Sequence, residues 1–146
     1  MARSKITSSS KDIIKDNGAV LVSVIKGEQI HLELTLSWLT NLSGYTIVAK
    51  VQEGANDGEG TIPTDIESGG VVTELPILNP ETTDNIITLV IPQDLSDSWS
   101  TQPKPDKPSY GFIELEVADT GTGDEQQIWK PFRGLVEVRY SPTEAS

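Results

Sequence analysis

The chain has 146 residues, 22 of them acidic and 11 basic, for a net charge of −11, and it contains no cysteine. That length fits one domain able to bury roughly two-thirds of the surface its unfolded chain would expose. The acidic balance argues against free nucleic acid as a partner, since phosphate binding needs clustered Lys and Arg. The missing cysteine excludes disulfides, thiolate metal sites and thiol catalysis.

The first fifteen residues run against the rest. Arg3, Lys5, Lys11 and Lys15 face only Asp12, a net +3, which leaves −14 for the remainder. This contrast predicts a basic N-terminal arm over residues 1–15, a β domain over 16–141 and a short tail over 142–146. Chain ends fray unless something ties them down, and the expectation is that neighbours in a larger assembly hold both ends. The segment MARSKITSSSKDIIKD has no apolar h-region and does not read as a Sec-type signal. No apolar run approaches the ~18 residues needed to cross a membrane, so a soluble chain without membrane contact is expected.

Helical periodicity is nearly absent. Val20 to Ile25 is a β-branched run closed by Lys26-Gly27-Glu28. Residues 30–37 alternate, with Ile30, Leu32, Leu34 and Leu36 on one side and His31, Glu33, Thr35 and Ser37 on the other. A period of two marks a half-buried strand. Tyr45 to Gln52 alternates in the same way, and Asn41-Leu42-Ser43-Gly44 between them carries turn chemistry, so residues 27–51 read as a hairpin.

Residues 53–70 are loop-like, dense in Gly, Asp and Asn. Val71 to Leu78 returns to strand composition, with Pro76 restricting it to an edge or a strand end. Ile86 to Ile91 is a short apolar strand stopped by Pro92. Gln93 to Ser109 begins with a single helical turn and continues as the proline-punctuated segment PKPDKP. Tyr110 to Val117 alternates again, Asp119 to Asp124 is a hairpin-type turn, and Gln126 to Lys130 pairs back. Gly134 to Tyr140 supplies the last strand. About eight strands between turn signals predict an all-β fold: one immunoglobulin-like or jelly-roll-like antiparallel β-sandwich with extended termini.

Catalytic patterns are missing. There is no G-x-S-x-G, P-loop or H-E-x-x-H. His31 is the one histidine and sits on the polar side of its strand, where a cross-strand partner role is expected, so no triad or multi-histidine metal site can be built. Gly121-x-Gly123 is a turn, not a dinucleotide fingerprint. Asn56, Asp57 and Glu59 in one loop, and Asp119, Asp124 and Glu125 in another, offer oxygen ligands for Ca²⁺ without EF-hand spacing. Ordinary turn chemistry is the better reading, and no cofactor is expected. No pair among the many carboxylates is singled out for glycoside hydrolysis.

The aromatic residues are the remaining sharp features. Trp38 ends the alternating strand and suits the end of a sandwich. Trp99 lies in the proline-rich connection, and Trp129 precedes Lys130-Pro131-Phe132-Arg133. Aromatics beside Arg are typical of protein interfaces, although core or loop packing is the default for each.

Two stretches resemble a known family. Lys26-Gly27-Glu28-Gln29 leads into an alternating strand, then Leu42-Ser43-Gly44-Tyr45-Thr46-Ile47 opens a second strand ending in Lys50-Val51. This is similar to the opening of small β-sandwich domains in tailed-bacteriophage structural proteins, including N-terminal domains of baseplate and tail-fibre components. Trp129-Lys130-Pro131, Gly134 to Val138 and Tyr140-Ser141-Pro142-Thr143 resemble the closing strand of such modules, as in virion proteins of phages infecting marine bacteria, cyanophages among them. Together the stretches cover about a third of the chain.

The resemblance implies a virion structural protein without enzymatic activity, assembled in the host cytoplasm and present in symmetric copies. Its role would be a tail-associated adaptor binding neighbouring tail or fibre subunits, or alternatively a capsid cement protein. The sequence ends six residues past Tyr140, which favours a stand-alone connector over a receptor-binding protein. The contacts expected on this reading are Ala2, Arg3, Ser4, Lys5, Ile6 and Thr7 of the arm, then Trp99, Trp129, Phe132 and Arg133. A reading from another class is a carbohydrate-binding module with Trp99, Trp129 and Tyr110 as stacking platforms.

Overall fold

The computed structural model describes residues 2–8, 20–36, 38–78, 85–121 and 123–142, with the backbone alone for 2–8, 20–21 and 131–132. The strands are β1 (Ala2–Ser8), β2 (Val20–Ile25), β3 (Ile30–Leu36), β4 (Tyr45–Glu53), β5 (Val72–Glu74), β6 (Ile77–Leu78), β7 (Ile86–Ile91), β8 (Ser109–Asp119) and β9 (Ile128–Arg139). They form a four-stranded sheet in the order β1-β3-β7-β6 and a five-stranded sheet in the order β2-β9-β8-β4-β5. The fold is an all-β sandwich. Among the described residues the one helical element is the 3-10 turn Gly123–Glu125, and no helix there is long and apolar enough to cross a membrane.

Alternation fixes which side chains meet inside. On β3, Ile30, Leu32, Leu34 and Leu36 are buried, and Leu32 and Leu34 lie opposite Leu89 and Ile87 of β7. From the other sheet, Ala49 and Val51 of β4 pair with Leu115 and Ile113 of β8. Val136 and Val138 of β9 complete that inner face. Burial of these aliphatic side chains, worth about 1.5–3 kcal/mol for each Val, Leu or Ile, is the main stabilising term.

Two expectations about connectivity change. Residues 27–51 are not a hairpin: β3 pairs with β7 and β4 with β8, so β3 and β4 belong to opposite sheets. The link between them holds two buried leucines, Leu39 and Leu42. Leu39 N–H donates to the Leu36 carbonyl at 2.9 Å and Tyr45 N–H to the Leu42 carbonyl at 3.2 Å. Burying those leucines draws the link across the core, which two equally alternating flanking strands do not reveal.

Val71 to Leu78 is likewise two short strands in different sheets. Leu75 N–H donates to the Ala49 carbonyl at 2.8 Å, on the five-stranded side, while the Pro76 carbonyl accepts from Val90 N–H at 2.9 Å on the other. Pro76 has no N–H to pair, and the chain changes sheet there.

The segments around Trp129 and Val136 form one strand, β9. Its register against β8 shifts between Leu115 opposite Phe132 and Val117 opposite Trp129. Lys130 and Pro131 thus oppose the single residue Glu116, a bulge of the kind that admits proline within a sheet.

The sandwich is not wholly antiparallel. β1 runs parallel to β3, with Ala2 opposite Ile30 and Ser8 opposite Leu36, and β2 runs parallel to β9. The N-terminal part of the chain therefore lies along one edge of each sheet. Gly27, at φ 89°, closes the corner from β2 into β3. Residues 9–19 and 143–146, with Lys11, Lys15 and most of the predicted tail, lie outside the described residues.

Candidate functional site

The outer face of the five-stranded sheet carries an ordered array of side chains. Register brings two rows of side chains together across four strands. One row is Val72, Gln52, Phe112 and Leu135; the next is Glu74, Lys50, Glu114 and Arg133. The second row alternates in sign along its length, the cross-strand order that stabilises neighbours and opposes slippage. Lys130 Nζ lies 3.2 Å from Glu114 Oε1, and Arg133 Nε 3.3 Å from Glu114 Oε2. Solvent reaches both pairs, so they orient the cations more than they stabilise the fold.

A loop roofs one side of these rows. Gly54 bridges Ile66, and Ala55 N–H donates to the Asp65 carbonyl at 3.0 Å. Pro63 packs on Gly54 so closely that an added Cβ would sit 2.8 Å from Pro63 Cγ. Between the loop and the sheet runs a groove of about 530 Å³, floored by Phe112 and Leu135, walled by Pro63, Ile66 and Val72, and edged by Lys50, Glu114 and Arg133.

Beyond the groove the same face becomes polar. Tyr110 Oη donates to Glu137 Oε2 at 3.1 Å and Ser23 Oγ to Glu137 Oε1 at 2.8 Å. Burial first, then the Glu137 carboxylate, push the Tyr110 phenol above its ordinary value of 10.0. A second, polar depression of about 370 Å³ lies between the Lys104–Lys107 turn and Glu137, Arg139 and Tyr140.

Of the residues expected to make contacts, only Arg133 is placed in this face. Ala2 to Thr7 lie in β1 on the opposite sheet, and their side chains are outside the described residues. Phe132 pairs with Leu115 through its backbone, and its side chain is also outside the description. Trp99 is corrected: it is 4% exposed and part of the core, so it offers no contact surface. Trp129 is half-buried in an aromatic cluster at the end of the sandwich, 5.4 Å from Trp38 and 6.1 Å from Tyr45 between ring centroids. The sugar platform is not assembled either, because Tyr110 is also 4% exposed and no open ring faces remain on it or on Trp99.

The acidic loops spend their oxygens on turn geometry. Asp57 Oδ1 accepts from Glu59 N–H at 2.8 Å, the leading cause that holds its carboxyl below the ordinary 3.8. Glu59 pairs with Lys107 at 2.9 Å, and Asp119 Oδ1 accepts from Gly121 N–H and Gln127 N–H. Among the described residues no three acidic or histidine side chains converge as a metal site.

Phe112, Glu114, Leu135, Lys50 and Val72 were not singled out by sequence. Each looks like an ordinary outward strand position, and only register shows that they adjoin.

No family model matches the chain, and no relative among curated proteins does. Among solved structures it is similar to the N-terminal domain of phage TP901-1 ORF48, with a TM-score of 0.49, 5% sequence identity and coverage of 95% of this chain and 99% of that one.

Proposed function

We propose that this chain is a non-enzymatic structural protein of a tailed-phage particle, a tail-associated adaptor that docks neighbouring subunits through the outer face of its five-stranded sheet. The observation that carries the reading is the groove on that face, an apolar floor edged by an alternating charge row. An apolar centre with a polar rim is the anatomy of a protein contact. The KGEQ and LSGYTI opening and the WKP closing strand, similar to phage structural modules, supply the particle.

The strand order also fits. With the parallel edge strands β1 and β2 set aside, β3, β7 and β6 facing β9, β8, β4 and β5 have an order compatible with an immunoglobulin-like scaffold. Such a scaffold is rigid, and its faces and edges serve pairing with partners. The contacts proposed are therefore Arg133, Lys50 and the groove, with β1 as a second contact along the edge of the other sheet.

Mass spectrometry of purified particles from a lysate carrying this sequence tests the reading. Co-purification at a fixed copy number through a density gradient is expected, and absence from intact particles overturns it.

A further inference from the structure

We propose that the groove receives the 61–67 loop of a second copy of this chain, in a two-fold pairing to which each copy brings both groove and loop. The inference rests on reading this face as a protein contact and names its occupant. Its first support is where exposed apolar surface lies. Among the described residues seven large hydrophobic side chains are exposed, and three of them, Ile62 (51%), Ile66 (50%) and Val72 (52%), belong to this loop and groove. Apolar residues gathered on one patch, rather than scattered, mark an interaction surface.

Charge selects the occupant. The loop TIPTDIE carries Asp65 and Glu67 as its only charges, beside Ile62 and Ile66. The groove edge carries Lys50, Arg133 and Lys130 against the carboxylates of Glu114 and Glu74, a local cationic excess in a body that is otherwise strongly acidic. An acidic, aliphatic segment is what that rim and floor accept, and the chain presents one beside its own groove. Because both halves of the contact sit on one patch, the pairing closes on itself after two copies.

The loop is also held before it binds. The Gly54–Ile66 bridge and the seat of Pro63 on Gly54 fix its shape, so little ordering cost is left for association.

Sedimentation velocity of the full chain from micromolar to millimolar concentration, at low and high salt, tests the proposal. A dimer that grows with concentration and weakens with salt is expected. Ile62→Asp, at a solvent-exposed site, should weaken it by about tenfold or more while leaving unchanged the urea midpoint taken at concentrations where both chains are monomeric. The chain has no cysteine, so Ile62→Cys and Arg133→Cys chains can be mixed and oxidised, and an intermolecular disulfide between the two kinds of chain should form. A chain that stays monomeric throughout, a dimer indifferent to Ile62→Asp, or no mixed disulfide each overturns the proposal. Particle incorporation that persists in a strictly monomeric chain would overturn the two-fold pairing alone and leave the structural role standing.

Discussion

The ring of Trp99 lies on the backbone of Gly111: a Cβ added to that glycine would fall 2.8 Å from Trp99 Cη2 and 2.9 Å from Val51 Cγ1. The proline-punctuated connection is thereby fastened to the middle of the five-stranded sheet by an aromatic residue that needs a bare backbone beneath it. Gly111→Ala is expected to cost about 1–3 kcal/mol through overpacking. Trp99→Phe should relieve most of that cost in the double variant, because the smaller ring leaves room. Urea unfolding of the four chains gives the coupling, and additive effects would contradict the contact.

A buried carboxylate holds the same connection from its other side. Glu53 is 1% exposed, and its Oε2 accepts from Ser100 N–H at 2.9 Å and Ser100 Oγ at 2.8 Å. Glu53→Ala should destabilise the fold by about 1.5–3 kcal/mol, the range for a hydrogen bond to a charged group. Ser100→Ala keeps the backbone donor and should cost less. Both are read from thermal and urea unfolding.

Alkaline stability should depend on Tyr110. Its phenol is raised in the folded chain, so the stability tied to its proton is complete below the ordinary value of 10.0. That stability falls as pH climbs through the higher folded value, because the unfolded chain then loses the proton first. Tyr110→Phe should flatten the decline of unfolding free energy above pH 10.0. An unchanged slope would remove Tyr110 as its source.

Strand β1 covers the edge of β3, whose other neighbour, β7, supplies the core pairing. A chain lacking residues 1–8 should still unfold cooperatively but aggregate sooner at high concentration, because the β3 edge is then bare. Light scattering beside calorimetry checks both halves of this expectation.

Much of the fold was legible because its strands alternate against a polar exterior. β3, β7 and β8 are each placed by their own apolar positions, and the β8–β9 turn by its Gly and Asp residues. What could not be read is partnership. Nothing local to residues 30–52 says that β3 and β4 belong to opposite sheets, since buried leucines in the link decide it. The parallel seats of β1 and β2 depend on edges left open by strands distant in sequence. The candidate face suffers the same difficulty: Arg133 drew notice beside Trp129, but its neighbours Glu114, Lys50 and Glu74 come from three other strands. For Trp99 the packing default held and the contact role did not, because the bare backbone of a glycine opposite, which the sequence does not place beside it, makes room for the ring.

The most direct measurement of the docking face is lysine acetylation, read by mass spectrometry in the free chain and in assembled particles. Both Lys50 and Lys130 are open to solvent in the single chain. Strong protection of both on assembly is the predicted result; equal labelling in the two states would contradict the account.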